Sequence, residues 1–141
     1  MMVKRDKIYI VTDGACRDNP GPSAVGYGIY DENLDVIEED GKYIGEATNN
    51  EAEYEALILA LDRGTEYCRN RVEHFTDSQL VVNQLEGEWA IRADNLKELI
   101  DEVYQLQDFY ESFTHKHLPR ENERIQKIDE IANKVLDEEG F

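Results

Sequence analysis

The sequence predicts an α/β protein in which a five-stranded mixed sheet carries helices on both of its faces. Apolar segments with strand-like and helix-like periods follow one another in the order βββ-α-β-α-α-β-α, without internal repeats. Short turns join the first three strands, which predicts an antiparallel meander, whereas strands separated by helices favour parallel pairing. With 141 residues, of which 40% are hydrophobic, the chain is expected to form a single domain over residues 1–141.

Each strand is predicted from apolar residues that alternate, or branch at Cβ, between turn-forming residues. The predicted strands cover residues 6–13, 25–31, 36–45, 71–77 and 113–118. The helices are predicted from apolar residues that recur every three to four positions. They cover residues 49–68, 78–87, 95–112 and 125–138. The first helix is expected to open at Asn49, a residue type that caps helices, and the second to end at Gly87.

The composition excludes several classes of protein. No apolar run approaches the length of about 18 residues that a membrane-spanning helix needs. Residues 1–7 lack the apolar segment of a signal peptide, so we expect a cytoplasmic protein without a membrane partner. A monomer is expected as well. Cys16 and Cys68 form no metal-binding motif, and free thiols are expected in a reducing compartment, with a disulfide between them left open.

The net charge of −17 argues against binding to nucleic acid through bulk electrostatics, since proteins that bind phosphates usually carry a basic face. A nucleic-acid partner would therefore require metal ions, local basic residues or high salt to overcome this field. The acidic residues are spread along the chain, which is typical of a solvated acidic surface.

Two acidic residues stand at the ends of predicted strands. Asp13 ends the first strand in front of a turn with two glycines and two prolines, and Asp77 ends the fourth strand in front of a helix. Each has a local explanation, because an Asp–Gly pair often forms a turn and an Asp often caps a helix. If the two strands are parallel neighbours, both side chains emerge at one edge of the sheet, where open α/β sheets usually carry their sites.

Two further acidic residues interrupt or border the apolar faces of helices. At 100° per residue, Glu53 lies at about 200° from Glu51, in the middle of the apolar face of its helix. A buried carboxylate without a partner costs several kcal/mol, so a core arginine or hydroxyl is the alternative to a functional role. Asp129 lies at about 40° from Ile125, on the rim of the apolar face of the last helix, where simple solvation is the alternative.

Together, these four acidic residues predict a shared cation. Three or four carboxylates without a set of His or Cys ligands describe a site for a hard cation, Mg²⁺ or Mn²⁺. Such a site can hold two ions about 4 Å apart, one of which activates water while the other stabilises the leaving oxygen in phosphoryl transfer.

The chain resembles type 1 ribonuclease H over roughly residues 6–137. The motifs that carry the resemblance are "TDGACRDNPGP", "ATNNEAEYEALILAL", "FTDSQLVVNQL" and "PRENE…IDEIAN". The resemblance implies the ribonuclease H-like fold and an endonuclease that hydrolyses the RNA strand of RNA–DNA hybrids, leaving 5′-phosphate and 3′-hydroxyl ends. It also implies a short form that lacks a basic protrusion, because residues 87–99 carry only Arg92 and Lys97 as basic residues.

The resemblance implies that four carboxylates are the catalytic and metal-binding residues, namely Asp13, Glu53, Asp77 and Asp129. In the two-metal hypothesis Asp13 bridges both ions. Glu53 and Asp77 hold one ion, and Asp129 holds the other. In many relatives the last Asp follows the Asn of "PREN" by four residues, where this chain has Gln126, so we interpret the later position of Asp129 as an insertion of about one helical turn.

The resemblance also implies contacts with the substrate. Cys16 and Asn19 match positions that touch the RNA strand. Three amide side chains match positions that read the minor groove, where 2′-hydroxyls both donate and accept hydrogen bonds; they are Asn49, Asn50 and Gln79. A helix cap is the alternative for Asn49, and a solvated position is the alternative for Gln79.

The resemblance also implies an auxiliary histidine before the last helix, which His117 matches. His115 is the other candidate. A structural role is the alternative for both residues. Two other functions stay open for the chain as a whole. One is a nuclease of the same fold that acts on DNA, and the other is a non-catalytic module that binds hybrids.

Overall fold

The computed structural model describes residues 5–87, 90 and 93–141. Within these ranges the elements follow the predicted order: β1 Arg5–Cys16, β2 Gly21–Tyr30, β3 Val36–Ala47, α1 Asn49–Gly64, β4 Cys68–Thr76, α2 Gln79–Leu85, α3 Asp94–Gln107, β5 Ser112–His117 and α4 Glu123–Glu138. Arg92, which contributes to the prediction of a short form, lies outside the described residues.

One mixed sheet contains the five strands in the order β3-β2-β1-β4-β5. The pairs β1–β2 and β2–β3 are antiparallel, and the pairs β1–β4 and β4–β5 are parallel. This arrangement confirms the predicted meander of the first three strands and the parallel pairing of the last two.

Apolar layers cover both faces of the sheet. Ile8 and Ile10 on β1 belong to the core cluster that contains the buried side chains of α1, α2 and α3. Val11, which points to the opposite face, packs with Ile125 and Ile128 of α4. Because successive residues of a strand face opposite sides, one strand supplies both layers, and the predicted placement of helices on both faces is confirmed.

The turn after β1 differs from the prediction. β1 runs past Asp13 to Cys16, and β2 begins at Gly21 rather than at residue 25. The antiparallel pairs Gly14↔Val25 and Cys16↔Ser23 continue the ladder through this region. The apolar pattern of the sequence predicts a strand end at Asp13. The hydrogen bonds between strands come from the backbone, however, and they continue through polar positions.

The first helix also differs at both ends. Its N-cap is Thr48, not Asn49: the Thr48 hydroxyl accepts a hydrogen bond from the Glu51 N–H at 3.1 Å, and Glu51 Oε1 accepts one from the Thr48 N–H at 2.8 Å. These reciprocal bonds form a capping box. The helix ends at Gly64 rather than at residue 68, and Cys68 instead begins β4.

The third helix ends five residues before its predicted end. α3 stops at Gln107, and Tyr110 instead turns towards the end of α1, where its hydroxyl donates to the Leu61 carbonyl at 2.6 Å. Gly64 makes room for this contact, because a Cβ there would lie 2.7 Å from the Tyr110 hydroxyl. Tyr110 thus continues the apolar spacing of the helix without belonging to it.

Both cysteines are free thiols, as expected. In the parts of the chain that the structure describes, no helix is long and apolar enough to cross a membrane.

Candidate active site

Asp13 and Asp77 emerge together at one edge of the sheet. β1 and β4 are parallel, and the last pair in their register is Val11↔Phe75. Each of the two aspartates lies two residues beyond its member of that pair. The sequence predicts that Asp13 and Asp77 share one edge of the sheet if their strands are parallel neighbours. The two strands are parallel neighbours, so both carboxylates lie at the carboxyl ends of the parallel strands.

Glu53 reaches the same edge from α1. Carboxylate oxygens of Asp13, Glu53 and Asp77 all lie within 4.8 Å of one another. The Gly14 N–H donates to Asp13 Oδ1 at 3.0 Å and to Glu53 Oε1 at 3.2 Å. Gly14 also lets the helix approach the strand, because a Cβ at this position would lie 2.7 Å from the backbone of Ala52.

The local explanations for two of the acidic residues do not hold. Ser78 is the N-cap of α2, and its hydroxyl accepts from the Val81 N–H at 3.2 Å, so Asp77 does not cap the helix. The buried Oε2 atom of Glu53 has no hydrogen-bond partner within the described ranges, so no core arginine or hydroxyl pairs with it there. Arg120 contacts Asp77 through an exposed side chain, whose Nε lies 3.4 Å from Asp77 Oδ2.

Burial and mutual repulsion disfavour the charged forms of Asp13 and Glu53. Burial raises the pKa of Asp13 well above its usual range, and the charges of Glu53 and Asp77 raise it further. Burial likewise raises the pKa of Glu53, with a contribution from the charge of Asp77. A divalent cation would reverse this balance, because it favours the charged carboxylates and would give Glu53 Oε2 a partner. A donor set made of carboxylate oxygens fits a hard cation such as Mg²⁺ or Mn²⁺.

Asp129 faces the same cleft from α4. The cleft has a volume of about 490 Å³. It is lined by Asp13, Gly14, Asn49, Asn50, Glu53, Asp77, Ser78, Arg120, Ile125, Gln126 and Asp129. Asp129 is exposed and lies outside the tight group of three carboxylates, although its charge contributes to the raised pKa of Asp13. Its carboxylate accepts a hydrogen bond from Asn133 Nδ2, at 3.1 Å from Asp129 Oδ1.

Comparisons with known proteins agree with this arrangement. Residues 11–134 match a family model described as reverse transcriptase-like. Ribonuclease HI of Halobacterium salinarum is 36% identical over 94% of this chain and 65% of its own length. A ribonuclease H of Clostridium botulinum is 30% identical over 94% of this chain and 97% of its own length. The chain belongs to the type 1 ribonuclease H family.

Solved structures of ribonucleases H1 share the fold. The crystal structure of the enzyme from Halobacterium salinarum superposes with a TM-score of 0.89 at 36% identity, covering 94% of this chain and 98% of that one. The structure of LC11-RNase H1 in complex with an RNA/DNA hybrid gives a TM-score of 0.87 at 36% identity, covering 95% and 99% of the two chains. Among the curated relatives, this chain spans 65% of the Halobacterium protein and 36% of the bifunctional protein Rv2228c of Mycobacterium tuberculosis.

The side chains expected to touch a substrate flank the cleft on one side. Asn49 and Asn50 line it at the exposed start of α1. Asn19 accepts a hydrogen bond through Oδ1 from the Asn49 N–H at 2.9 Å, which ties the β1–β2 turn to the helix. The Cys16 thiol instead faces backbone carbonyls, those of Asp18 and Ala47. Gln79 is exposed at the first residue of α2, beside the cleft rather than in its lining.

The two candidate histidines lie in different surroundings. His117 is exposed at the end of β5 and pairs in register with Thr76, outside the cleft lining. His115 is buried, and its Nδ1 lies 2.9 Å from Nδ1 of His74. His74 Nε2 in turn lies 2.7 Å from the Thr12 hydroxyl, and His115 Nε2 lies 2.6 Å from Gln107 Nε2. His115 is therefore part of a structural chain of hydrogen bonds.

Arg120 is a site residue that the sequence analysis did not single out. It stands inside the "PREN" stretch, in a chain with few basic residues and a net charge of −17. The structure brings it to the cleft beside Asp77. Arg120 could have been identified from the sequence, because it is a basic residue inside a motif that otherwise supplies acidic and amide groups.

Proposed function

We propose that this protein is a divalent-metal-dependent endoribonuclease that hydrolyses the RNA strand of RNA–DNA hybrids and leaves 5′-phosphate and 3′-hydroxyl ends. The observation that carries the proposal is the group of three carboxylates within 4.8 Å at the sheet edge. An orphaned buried oxygen on Glu53 and membership of the ribonuclease H family support it. The hybrid bound to LC11-RNase H1 supports the substrate class.

The proposed cofactors are two Mg²⁺ or Mn²⁺ ions per site. Asp13 would contribute to both ions, because the charges of Glu53, Asp77 and Asp129 all act on it. Glu53 and Asp77 would complete one set of ligands, and Asp129 would contribute to the other. When bound, divalent cations supply the Lewis acidity that lowers the pKa of a water and stabilises the leaving oxygen in phosphodiester hydrolysis.

The protein's own groups prepare the site for this chemistry. The raised pKa values of Asp13 and Glu53 mean that these carboxyl groups release protons as they become ligands. The Gly14 N–H fixes one oxygen of each, which leaves less freedom for the remaining oxygens. Arg120 supplies a flexible positive charge beside Asp77, suited to a phosphate of the bound strand.

The proposed substrate groove begins at the start of α1. The side chains of Asn49 and Asn50 are exposed there, and their amides can donate to and accept from 2′-hydroxyls and base edges in a minor groove. We assign Asn19 and Cys16, in the neighbouring turn, to the RNA strand, and Gln79 to the minor groove beside α2. His117 is proposed as an auxiliary residue at the exposed end of β5.

The proposal extends to the state of the protein. Residues 1–141 would act as one catalytic domain and as a monomer, in the cytoplasm and without a membrane partner. The net charge of −17 opposes the approach of a nucleic acid, and bound cations and Arg120 would locally reverse this field. Hybrid affinity is therefore expected to be modest.

A cleavage assay tests the function. The substrates are a hybrid labelled uniformly in its RNA strand and a DNA duplex of the same sequence, each with Mg²⁺, with Mn²⁺ and with a chelator. We expect metal-dependent cleavage of the RNA strand alone, with product ends that a phosphatase and a ligase identify as 5′-phosphate and 3′-hydroxyl. Cleavage of the DNA duplex would reassign the protein as a DNA nuclease, and metal-dependent binding without cleavage would make it a binding module.

A further inference from the structure

Arg17 joins the β1–β2 turn to the last helix. Its Nη1 donates to Asn133 Oδ1 at 2.5 Å, and its Nη2 lies 2.8 Å from Asp137 Oδ1. Its Nε donates to the Phe141 carbonyl at 3.4 Å. The Arg17 side chain is two-thirds covered, with an exposure of 33%. A single arginine of the turn is therefore bound by two side chains of α4 and by the carbonyl of Phe141, which follows that helix.

Asn133 continues this connection to the cleft. Its Nδ2 donates to Asp129 Oδ1 at 3.1 Å and to the Asp129 carbonyl at 2.9 Å. A guanidinium can only donate hydrogen bonds and a carboxylate can only accept them, so the amide oxygen of Asn133 must face Arg17 and its NH₂ group must face Asp129. Arg17 thereby selects the amide orientation that holds Asp129.

Asp129 needs such support more than Asp13 and Glu53 do. Asp13 is buried, and the Gly14 N–H fixes one oxygen on Asp13 and one on Glu53. Asp129 is exposed on the rim of a helix, where an aspartate otherwise samples several rotamers. Asn133 lies one turn further along the same helix, which places its amide beside the Asp129 side chain.

The turn that carries Arg17 is itself fixed. The Arg17 N–H donates to the Pro22 carbonyl at 2.8 Å, which closes the turn. On its other side, Asn19 Oδ1 accepts from the Asn49 N–H of α1. The guanidinium thus extends from a braced segment of backbone.

We propose that Arg17 and Asn133 are positioning residues for Asp129, and that they hold its carboxylate ready to bind a divalent cation at the open side of the cleft. This inference rests on the proposed function of the site. Groups that orient a metal-binding carboxylate typically change metal affinity or activity by about 10- to 100-fold when they are removed. The competing explanation is a clamp between turn and helix that stabilises the fold only.

The test uses Asn133→Ala and Arg17→Ala in the full chain. The matched control is Lys127→Ala, which removes an exposed ion pair of the same helix, between Lys127 Nζ and Glu39 Oε1 at 2.7 Å. For each protein, calorimetry measures Mn²⁺ binding without nucleic acid, cleavage is followed against Mg²⁺ concentration, and thermal unfolding is recorded with a chelator.

Both test variants should weaken Mn²⁺ binding and raise the half-saturating Mg²⁺ concentration by about tenfold, with kcat recovering at high Mg²⁺ and the KM for hybrid unchanged. Lys127→Ala should match the wild type. In an Asp129→Asn background, Asn133→Ala should have no further effect on Mn²⁺ binding, because the carboxylate that it positions is gone.

A lower thermal midpoint with unchanged metal dependence in both variants would overturn the inference in favour of the clamp. If Arg17→Ala does not fold, Asn133→Ala decides alone, because it leaves the ion pair between Arg17 and Asp137 in place. Failure of the wild type to cleave hybrid would count against the proposed function instead, and the Mn²⁺ binding measurements would still decide on the positioning role.

Discussion

Asp13 is the residue at which the demands of the fold and of the site conflict most directly. It is 5% exposed, and two other carboxylates lie within 4.8 Å of it. A carboxyl group in this position loses hydration and gains repulsion, which is why its pKa is raised. The fold accommodates the group at a cost that a bound cation would remove.

Asp13→Asn should therefore separate stability from activity. We expect the thermal midpoint in chelator to rise by about 3 °C or more, because the amide needs no counterion, while cleavage of hybrid falls by at least about a thousandfold. Stabilisation by added Mn²⁺ should also be lost. Asp62→Asn, at an exposed position of α1, is the matched control and should keep both properties. Full activity in Asp13→Asn would remove this residue from the site.

Gly14 sets the distance between β1 and α1, and hence the position of Glu53. In Gly14→Ala the new Cβ meets the backbone at Ala52 and Glu53 at 2.7 to 2.8 Å, so the helix must move. We expect a loss of about 1–3 kcal/mol in the free energy of unfolding, together with weaker Mn²⁺ binding. Denaturant unfolding and calorimetry measure the two effects. Unchanged values for both would show that the helix adjusts without moving Glu53.

Among the elements, α1 carries Glu53 and depends on its capping box for a defined start. Thr48→Ala removes the hydroxyl that accepts from the Glu51 N–H, and we expect the free energy of unfolding to fall by about 1 kcal/mol. Thr48→Ser keeps a hydroxyl, so its free energy of unfolding should fall by only a few tenths of the loss in Thr48→Ala. Denaturant unfolding of the two variants compares them. Equal losses would mean that the methyl group, not the hydrogen bond, matters at this position.

The elements also show where sequence reasoning succeeds and where it stops. The period of the apolar residues predicts every strand and helix of the described ranges in the right order. It does so because the burial of apolar residues decides which segments form strands and which form helices. It misplaces the ends at Asp13 and Tyr110 for opposite reasons. After Asp13 the backbone pairing of β1 continues beyond the last residue of the apolar pattern. At Tyr110 the apolar pattern instead continues beyond the end of the helix, because the Tyr110 hydroxyl bonds to the Leu61 carbonyl.

The group of three carboxylates can be predicted from the sequence more readily than the contacts around Asp129 can. Glu53 is conspicuous because it interrupts an apolar face, and Asp13 and Asp77 because they follow strands. The contacts of Arg17 and Asn133 have no such signature, since both residues lie at positions where polar side chains are ordinary. Only the approach of the turn to α4 in three dimensions brings them together.

At the scale of the whole molecule, a buried pair of histidines links three strands and a helix. The Nδ1 atoms of His74 and His115 are 2.9 Å apart, so one proton lies between them. A second proton would set two donors against each other. Burial lowers the pKa of His115 to about 4, and burial together with His115 lowers the pKa of His74 well below its usual value.

This pair should make stability depend on pH. An unfolded histidine titrates near 6.5, so below that pH the unfolded chain binds more protons than the folded one. Stability is present above about pH 6.5 and is lost as the pH falls towards 4, by up to about 3 kcal/mol for His115 alone. His115→Gln should show a smaller drop in the free energy of unfolding between about pH 7 and about pH 5. A drop as large as in the wild type would assign it to other groups.

The net charge of −17 should make the fold sensitive to salt. Screening weakens repulsion between exposed like charges, so raising KCl from about 0.05 M to about 0.5 M should raise the thermal midpoint in chelator by several degrees. NaCl should act similarly if screening is the cause. A midpoint that falls with either salt would show that attractive ion pairs outweigh the repulsion.

The acidic side chains of β3 affect how separate molecules meet. β3 is an outer strand of the sheet, bonded to β2, and an outer strand can pair with a strand from another molecule. Asp40 and Glu46 are exposed along it, whereas Glu38 and Glu39 pair with Arg63 and Lys127. Two copies brought edge to edge would place negative charges against each other. The charge that hinders the approach of a nucleic acid thus also opposes aggregation through this edge.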